Sequence, residues 1–595
     1  MKFLHNFFEK LVNGHYGKYF QVLEKRTELP GAVNARRAYK LFSATEKIVF
    51  LTLTIIMAVS ALIITIKVND NYLVSVPSRG GSLVEGIVGT PRFINPVLAV
   101  TDADKDIAIL VYAGLLRATP DGSYENLLAE SVDISPDGKT YFVHIKNNAV
   151  FHDNKPVTAD DVIFTIDRIK DPLIKSPLRG NWEGVTTEKM DNLSVAFHLK
   201  APYAPFLENL TVGILPKHIW EKVSTDEFPW SDLNLNAVGA GPYKVVGVKR
   251  DSSGIPSSVD LSAFKDFEGG EPYITDIKSI FYNNESKAMS AIISNEIDSL
   301  GGISPENAAT LSKRGFNLVT ATLPRVFGLF WNQNQNKIFS DKNVRAALSL
   351  GAPREDVVSE SLKGFAEAVD GPLSSSLATG DSYDDRMDKA SKFLDSASYK
   401  VASTTGLRVK TTGKGKTLVS TPLRFSIATA DAPDLVSAAH LLADSYRKLG
   451  FDVTVNVYES GDLQQNIIRE RKYDALLFGE VIGREQDLFP FWHSSERFDP
   501  GLNIALYANS KVDKLLDTLR KTSDTSKQQD TLDSLLKEFD GDIPAAFLYA
   551  PKYVYAIPSK VERVELKTVN HGSERFLNIQ NWYTETDNVW KIFVH

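Results

Sequence analysis

The sequence predicts a mixed α/β protein carried on one membrane-spanning helix. Three observations point there. An uncharged run of nineteen residues, Ile48–Ile66, has the length an α-helix needs to cross a hydrocarbon core of ~30 Å. Beyond it, alternating segments such as YFVHIK (Tyr141–Lys146) read as half-buried strands. Between the strands lie helical patterns, the clearest in DLVSAAHLLADSYRKLG (Asp434–Gly450), and no tandem repeat orders them.

The membrane segment is bracketed by Lys47 and Lys67, whose long side chains can reach back to the interface. A cleaved signal peptide is the competing reading, but its apolar core is only ~7–15 residues long. Here 47 residues precede the run, and Ala58-Val59-Ser60, which resembles a cleavage site, lies inside it. Residues 1–47 hold nine Lys/Arg and four Asp/Glu. The positive-inside rule puts that basic arm in the cytoplasm. The rest of the chain keeps 58 basic and 70 acidic residues and is expected outside the cell or in the periplasm, as the acidic part of a single-pass protein. This gives a cytoplasmic arm over 1–47, a transmembrane helix over 48–67 and a linker over 68–77. The stretch Asn71–Ser82, ending in Gly80-Gly81-Ser82, is expected to be a flexible tether. At the start of the arm, Phe3, Phe7, Phe8 and Leu11 share one helical face, which suits a helix lying on the inner leaflet or one packed on a partner.

Within the outer part, VAFHLK (Val195–Lys200) and YKVVGVK (Tyr243–Lys249) alternate as strands. Thr158-Ala-Asp-Asp161 has capping-box spacing ahead of the helical VIFTIDRIK, with Asp161 in place of the usual Glu. In Asp434–Gly450 the stripe Leu435, Ala438, Leu442, Tyr446 and Leu449 is followed by a helix-stopping glycine and then the alternating strand DVTVNVYE (Asp452–Glu459). The polar segment Tyr399–Ser420 reads as a surface loop or hairpin.

Composition narrows the function classes. With 595 residues the chain has room for three or four domains of ~100–200 residues each. Apolar content of 43% and charged content of 24% argue against wholesale disorder. The absence of cysteine excludes disulfides, cysteine nucleophiles, thiolate metal sites and cysteine-linked lipids. A net charge of −7 argues against nucleic acid as a partner. No His-Glu-x-x-His or Gly-x-Ser-x-Gly is present. Gly415-Lys416-Thr417 lacks the earlier glycine of a P-loop, since Lys410 stands there. His152 and His493 sit among aromatics, which favours structural roles, and Asp160-Asp161 and Asp384-Asp385 suit helix starts and turns. No enzyme, metal site or cofactor is expected.

The outer part, from about Gly80 to about Ile557, resembles the family 5 extracellular solute-binding proteins, the peptide/nickel/opine receptors of ABC importers. The resemblance is carried by GGSLVEGIVGTPRFINPVLA (Gly80–Ala99) and most clearly by Leu110–Pro172, with its Leu-Ala-Glu-Ser, Phe151-His-Asp and Val157-Thr-Ala-Asp-Asp-Val162. ILPKHIWE (Ile214–Glu221), VGAGPYKV (Val238–Val245) and NVRAALSLGAPREDVV (Asn343–Val358) continue it in order. Tyr473–Ser495 and LYANSKVDKLLDTLR (Leu506–Arg520) complete it.

The resemblance implies a two-lobed periplasmic-binding-protein-like fold of the large, class II peptide-binding type with an extra inserted domain. Lobe I is expected over 78–324 and 541–595, with the inserted domain at about 121–230, and lobe II over 325–540. The crossings fall near Thr322–Arg325 and Asp540–Ile543. Ligand is expected in the cleft between lobes. In the family an acidic residue in the segment equivalent to Gly479–Trp492 often holds the ligand ammonium. Glu480, Glu485 and Asp487 are the candidates here, with Asp487 preferred, although Leu488 replaces the proline that follows it in the family. A turn or helix-cap role is the alternative for Asp487. Phe491, Trp492, Trp331 and Asn332 are candidates for the cleft walls, or for packing. Glu85 and Arg92 are candidates from the opening segment, with an intralobe salt bridge or solvent exposure as the alternative. The implied function is a membrane-tethered receptor that delivers oligopeptides to ABC permease subunits. A metal chelate, glycan fragment or opine is the alternative ligand, and a sensor signalling through the cytoplasmic arm the alternative role.

Overall fold

A computed structural model describes residues 39–593 except 379, 413–418 and 523. The amphipathic pattern at Phe3–Leu11, most of the basic arm and Gly415-Lys416-Thr417 lie outside the described residues. The chain divides into two compact units, one of Met1–Val76 with Asp587–His595 and one of Pro77–Thr586.

In the first unit a continuous helix of 29 residues spans Ala44–Tyr72. Ser43 caps it: its hydroxyl accepts from the Glu46 N–H, and the Glu46 carboxylate accepts from the Ser43 N–H at 2.8 Å. None of its residues is buried, and its apolar window is long enough to cross a membrane. Thr52, Thr54 and Thr65 return their hydroxyls to the carbonyl four residues back at 2.8 Å, so these polar atoms are satisfied within the helix. Beyond Tyr72 the chain does not become a loose tether. Leu73–Ser78 is a strand paired with Glu585–Trp590. The branched Val74 and Val76 favour extended backbone, and a partner from the far end of the sequence satisfies it.

The second unit is built on one sheet of twelve strands. Strands 452–458, 424–430, 475–481 and 325–331 make up one part, and 299–301, 82–88, 276–282, 256–263 and 243–250 the other. The twelve-residue strand Ala545–Ala556 joins them: its first half is antiparallel to Arg325–Trp331, its second half to Ser299–Gly301 and Leu318–Thr322. Two large hydrophobic cores flank this join. One gathers Leu83 to Ile277, Ala321 and Leu323 with Tyr553 to Trp582, the other Val326 to Ala550. Core membership changes between Leu323 and Val326 on one pass, and between Ala550 and Tyr553 on the other. The second change falls later in the chain than the crossing expected near Asp540–Ile543. A separate antiparallel sheet, in the order 129–134, 140–145, 194–198, 186–189, packs into the first core.

Local patterning explains these elements. The helix Pro433–Lys448 buries Leu435, Ala438, Leu442 and Tyr446, and Gly450 at φ 87° turns the chain into the parallel strand Asp452–Tyr458. Asp161 starts the helix Ala159–Lys170 by accepting from the Thr158 N–H at 2.8 Å, the Thr158 hydroxyl at 2.6 Å and the Lys217 N–H at 2.8 Å. Tyr399–Ser420 supplies strands Lys400–Val401, Arg408–Thr412 and the start of Val419–Pro422, a small three-stranded sheet. His152 is a structural residue: its Nδ1 accepts from the Gly239 N–H at 3.3 Å, which leaves Nε2 to donate to the Gly241 carbonyl at 3.0 Å. Burial lowers its pKa to about 4, so it remains neutral.

Candidate functional site: the cleft beside the 482–488 loop

Strand Ala475–Val481 runs into a loop that the N–H groups of Ile482 and Gly483 pin to the Pro324 carbonyl, at 2.9 and 3.2 Å. Gly483 and Gln486 take positive φ, 75° and 52°, and make the turns of this loop. Across from the loop lie Asp121, Gly122, Ala204 and Pro205, which come from the other core's side of the sheet. The Ala204 N–H donates to the Arg520 carbonyl at 3.0 Å and fixes the two sides against each other. Two adjoining cavities result, of about 240 and 580 Å³. Both are lined by Gly122, Arg484 and Gln486.

Arg484 is the central charge of this cleft. Its side chain is 2% exposed. Nη2 donates to Glu574 Oε2 at 2.5 Å, while Nε and Nη1 have no hydrogen-bond partner among the described residues. Glu485 is half-buried, has no ion pair among the described residues, and stands by the Tyr124 hydroxyl. Burial raises the pKa of Glu485, with Tyr124 and Arg484 opposing the rise. Burial likewise raises Glu208 and Glu574, and Arg484 pulls both back. Three carboxyls whose ionised forms are disfavoured by burial thus share one guanidinium, and either a proton or a cation in the cleft would relieve them.

The other expected site residues are placed as follows. Asp487 is joined to Arg520, with Nε at 3.1 and 3.0 Å from its two oxygens and Nη2 at 2.6 Å. It also accepts from the Phe489 N–H at 3.2 Å, at the start of the short helix Phe489–Trp492. Its charge is thus matched inside the protein, in the turn-and-cap role. Glu480 is 2% exposed with neither carboxyl oxygen hydrogen-bonded among the described residues, and burial pushes its pKa well above 4.5. Trp492 is packed among Phe330, Tyr507, Phe539 and Phe547, and Phe491 lies half-buried against the same core. The Trp331 indole donates to the Ile543 carbonyl at 3.2 Å, and the Asn332 amide to the Arg471 carbonyl at 2.9 Å. Arg92 is exposed over the Phe93 ring.

Glu85 forms an intralobe ion network. Its Oε1 accepts from Arg575 Nε and Nη2 at 3.1 and 2.8 Å, and Oε2 from the hydroxyls of Tyr555, at 2.8 Å, and Ser299. Of the expected residues, Glu485 and Asp487 line the cleft, whereas Glu85, Glu480, Trp331, Asn332 and Trp492 are buried in the lobes. Sequence reasoning missed Arg484 and Tyr124. The signal for Arg484 was its place in Gly483-Arg-Glu-Gln-Asp487, a basic residue within the segment searched only for acids.

A two-lobed α/β protein with one shared sheet and a charged cleft between its cores is an extracytoplasmic binding protein in form. Residues 123–497, more than half of the chain, match the model of the bacterial extracellular solute-binding proteins, family 5 Middle. The chain belongs to that family and is a solute-binding protein. It is 26% identical over 518 residues to the oligopeptide-binding protein AppA of Bacillus subtilis (strain 168), covering 85% of this chain and 92% of that protein. The solved structure of AppA from Bacillus subtilis in complex with a nonapeptide superposes with TM-score 0.62 at 26% identity, covering 85% of this chain and 99% of that one. NikZ from Campylobacter jejuni, solved in complex with Ni(L-His), gives TM-score 0.64 at 25% identity, covering 84% and 99%.

Proposed function

We propose that this chain is anchored in the cell membrane by the helix Ala44–Tyr72, captures oligopeptides outside in the cleft, and delivers them to ABC permease subunits. The observation that carries the ligand class is the side-by-side placement of a carboxylate without an ion pair, Glu485, and a guanidinium, Arg484, whose Nε and Nη1 are both without a partner among the described residues. A peptide's terminal ammonium and its carbonyl or carboxylate oxygens match that pair, and neighbouring cavities of about 240 and 580 Å³ leave room for more than one side chain. The two cores part between Leu323 and Val326 and between Ala550 and Tyr553, and closure of one lobe on the other encloses the ligand. The likeness to AppA supports the peptide reading.

Calorimetry of the full chain in detergent against pooled di- to decapeptides should show binding, and silence across the pool would overturn the reading. Ni(L-His) in the same titration separates the metal-chelate alternative. The pH dependence carries a sign. Glu485 takes up a proton at higher pH than an ordinary carboxyl, because burial raises its pKa. Affinity for peptides with a free N-terminus should therefore fall as pH is lowered from neutrality, the loss beginning at higher pH than for an ordinary carboxyl, while N-acetylated peptides should show a flatter profile.

The anchor has its own test. The full chain should stay with membranes in alkaline carbonate, and a variant lacking residues 44–72 should be released. Retention of the deletion variant would remove the anchor from the proposal.

A further inference from the structure

We infer that residues 590–593 form a second membrane contact, an interfacial collar that lies in the headgroup layer beside the outer end of the spanning helix. The inference rests on the membrane-anchor reading proposed above.

The chain returns to the helix after more than five hundred residues. The indole N–H of Trp590 donates to Asn69 Oδ1 at 2.9 Å, and the Trp590 ring lies 6.5 Å from that of Tyr72. The strand that ends in Trp590 pairs with Leu73–Ser78, which continues directly from the helix. After Trp590 a single helical turn, Lys591–Phe593, presents Ile592 and Phe593 at 67% and 71% exposure. Trp590 and Tyr72 are themselves 45% and 53% exposed. Two aromatic rings, a third at Phe593 and an isoleucine are thus gathered on an open surface at one end of an apolar helix.

Depth selects the partner. The apolar run ends at Ile66, and Asn69 is three residues further, which is ~4.5 Å along a helix rising ~1.5 Å per residue. Tyr72 stands ~9 Å beyond Ile66 on the same scale. Each headgroup layer is roughly 5–8 Å thick, the difference between a ~30 Å hydrocarbon core and a ~40–45 Å bilayer. Trp590, held at the level of Asn69, therefore falls inside that layer, and Tyr72 just beyond its outer edge. Trp and Tyr concentrate at this depth because a flat apolar ring with one polar N–H or O–H is satisfied there at both ends. The Trp590 N–H is already bonded to Asn69, so its ring is free to face lipid. Lys591 places a cation beside it, and an ammonium is accommodated among lipid phosphates. In water Ile592 and Phe593 would be an unexplained apolar patch; in the headgroup layer they are sheltered.

The chain contains no cysteine, so a single introduced thiol reports from one place. The full-length Ile592→Cys variant, labelled with an environment-sensitive fluorophore and reconstituted in phosphatidylcholine vesicles, should emit at shorter wavelength than in denaturant. It should lose emission when the vesicles carry a headgroup-linked nitroxide lipid, and less with a nitroxide deep in the acyl chain. Ile592 is exposed, so the substitution leaves the fold intact. Ile56→Cys, in the middle of the helix, is the companion probe and should be quenched by the deep nitroxide. Water-like emission without quenching at 592, with Ile56 still quenched, would overturn the collar and leave the anchor standing. Failure to quench at 56 would overturn the anchor, and the collar with it.

Discussion

Arg575→Ala should lower the stability of the folded chain by about 3–5 kcal/mol, read as a shift of the urea unfolding midpoint. Arg575 is 2% exposed and is held between Glu85 and Asp106, with Nη1 and Nη2 at 2.8 and 2.7 Å from the two Asp106 oxygens. Removing the guanidinium leaves two buried carboxylates without a counter-charge, which costs far more than a lost surface pair. Burial already raises the pKa of Asp106 even with Arg575 in place. Without Arg575 it must rise further, so the variant's deficit should shrink as pH is lowered and the carboxyls take up protons in the folded state. Adding Glu85→Gln and Asp106→Asn to Arg575→Ala should recover part of the loss. A deficit that does not change with pH or with those additions would mean that charge is not what the network supplies.

Glu485→Gln should weaken binding of peptides with a free N-terminus by roughly 10–150-fold, the equivalent of about 1.5–3 kcal/mol for a hydrogen bond to a charged group. N-acetylated peptides should lose much less. Asp487→Asn is the informative comparison. Its carboxylate is already bonded to Arg520, and Arg520 stacks 3.9 Å from the Phe489 ring. That substitution should lower stability and leave the distinction between free and acetylated peptides in place. The reverse pattern, with discrimination lost at 487 and kept at 485, would move the ammonium site to Asp487.

Much of the fold was legible because period and punctuation agree locally. The stripe in Asp434–Gly450 and its terminal glycine gave a helix and the strand after it, and Thr158 with Asp161 marked a helix start. What the sequence did not reveal are pairings between distant segments. Leu73–Ser78 reads as a tether when viewed alone, because its partner, Glu585–Trp590, lies at the other end of the chain. The site was legible as a segment and not as an assignment. Of Gly479–Trp492 only the middle, Ile482–Leu488, lines the cleft, and which of Glu480, Glu485 and Asp487 keeps an available charge depends on Arg520, Tyr124, Arg484 and burial. Arg520 and Tyr124 are distant from the segment's acids in sequence, and Arg484, which adjoins Glu485, has the opposite sign to the one sought. Buried Trp331 and Trp492 show the same limit: an aromatic beside a candidate acid is equally suited to a core, and the core has them.

The strand Ala545–Ala556 acts mechanically as a torsion bar. Sliding one half of the molecule past the other would break ladder bonds on both of its flanks, whereas twisting about its length keeps them. Pro551 stands where the bar passes from one core to the other, and with no N–H of its own it withholds a ladder bond at that point. If one lobe rotates against the other, the missing donor at Pro551 makes that residue the point of the strand where one ladder bond fewer opposes the twist.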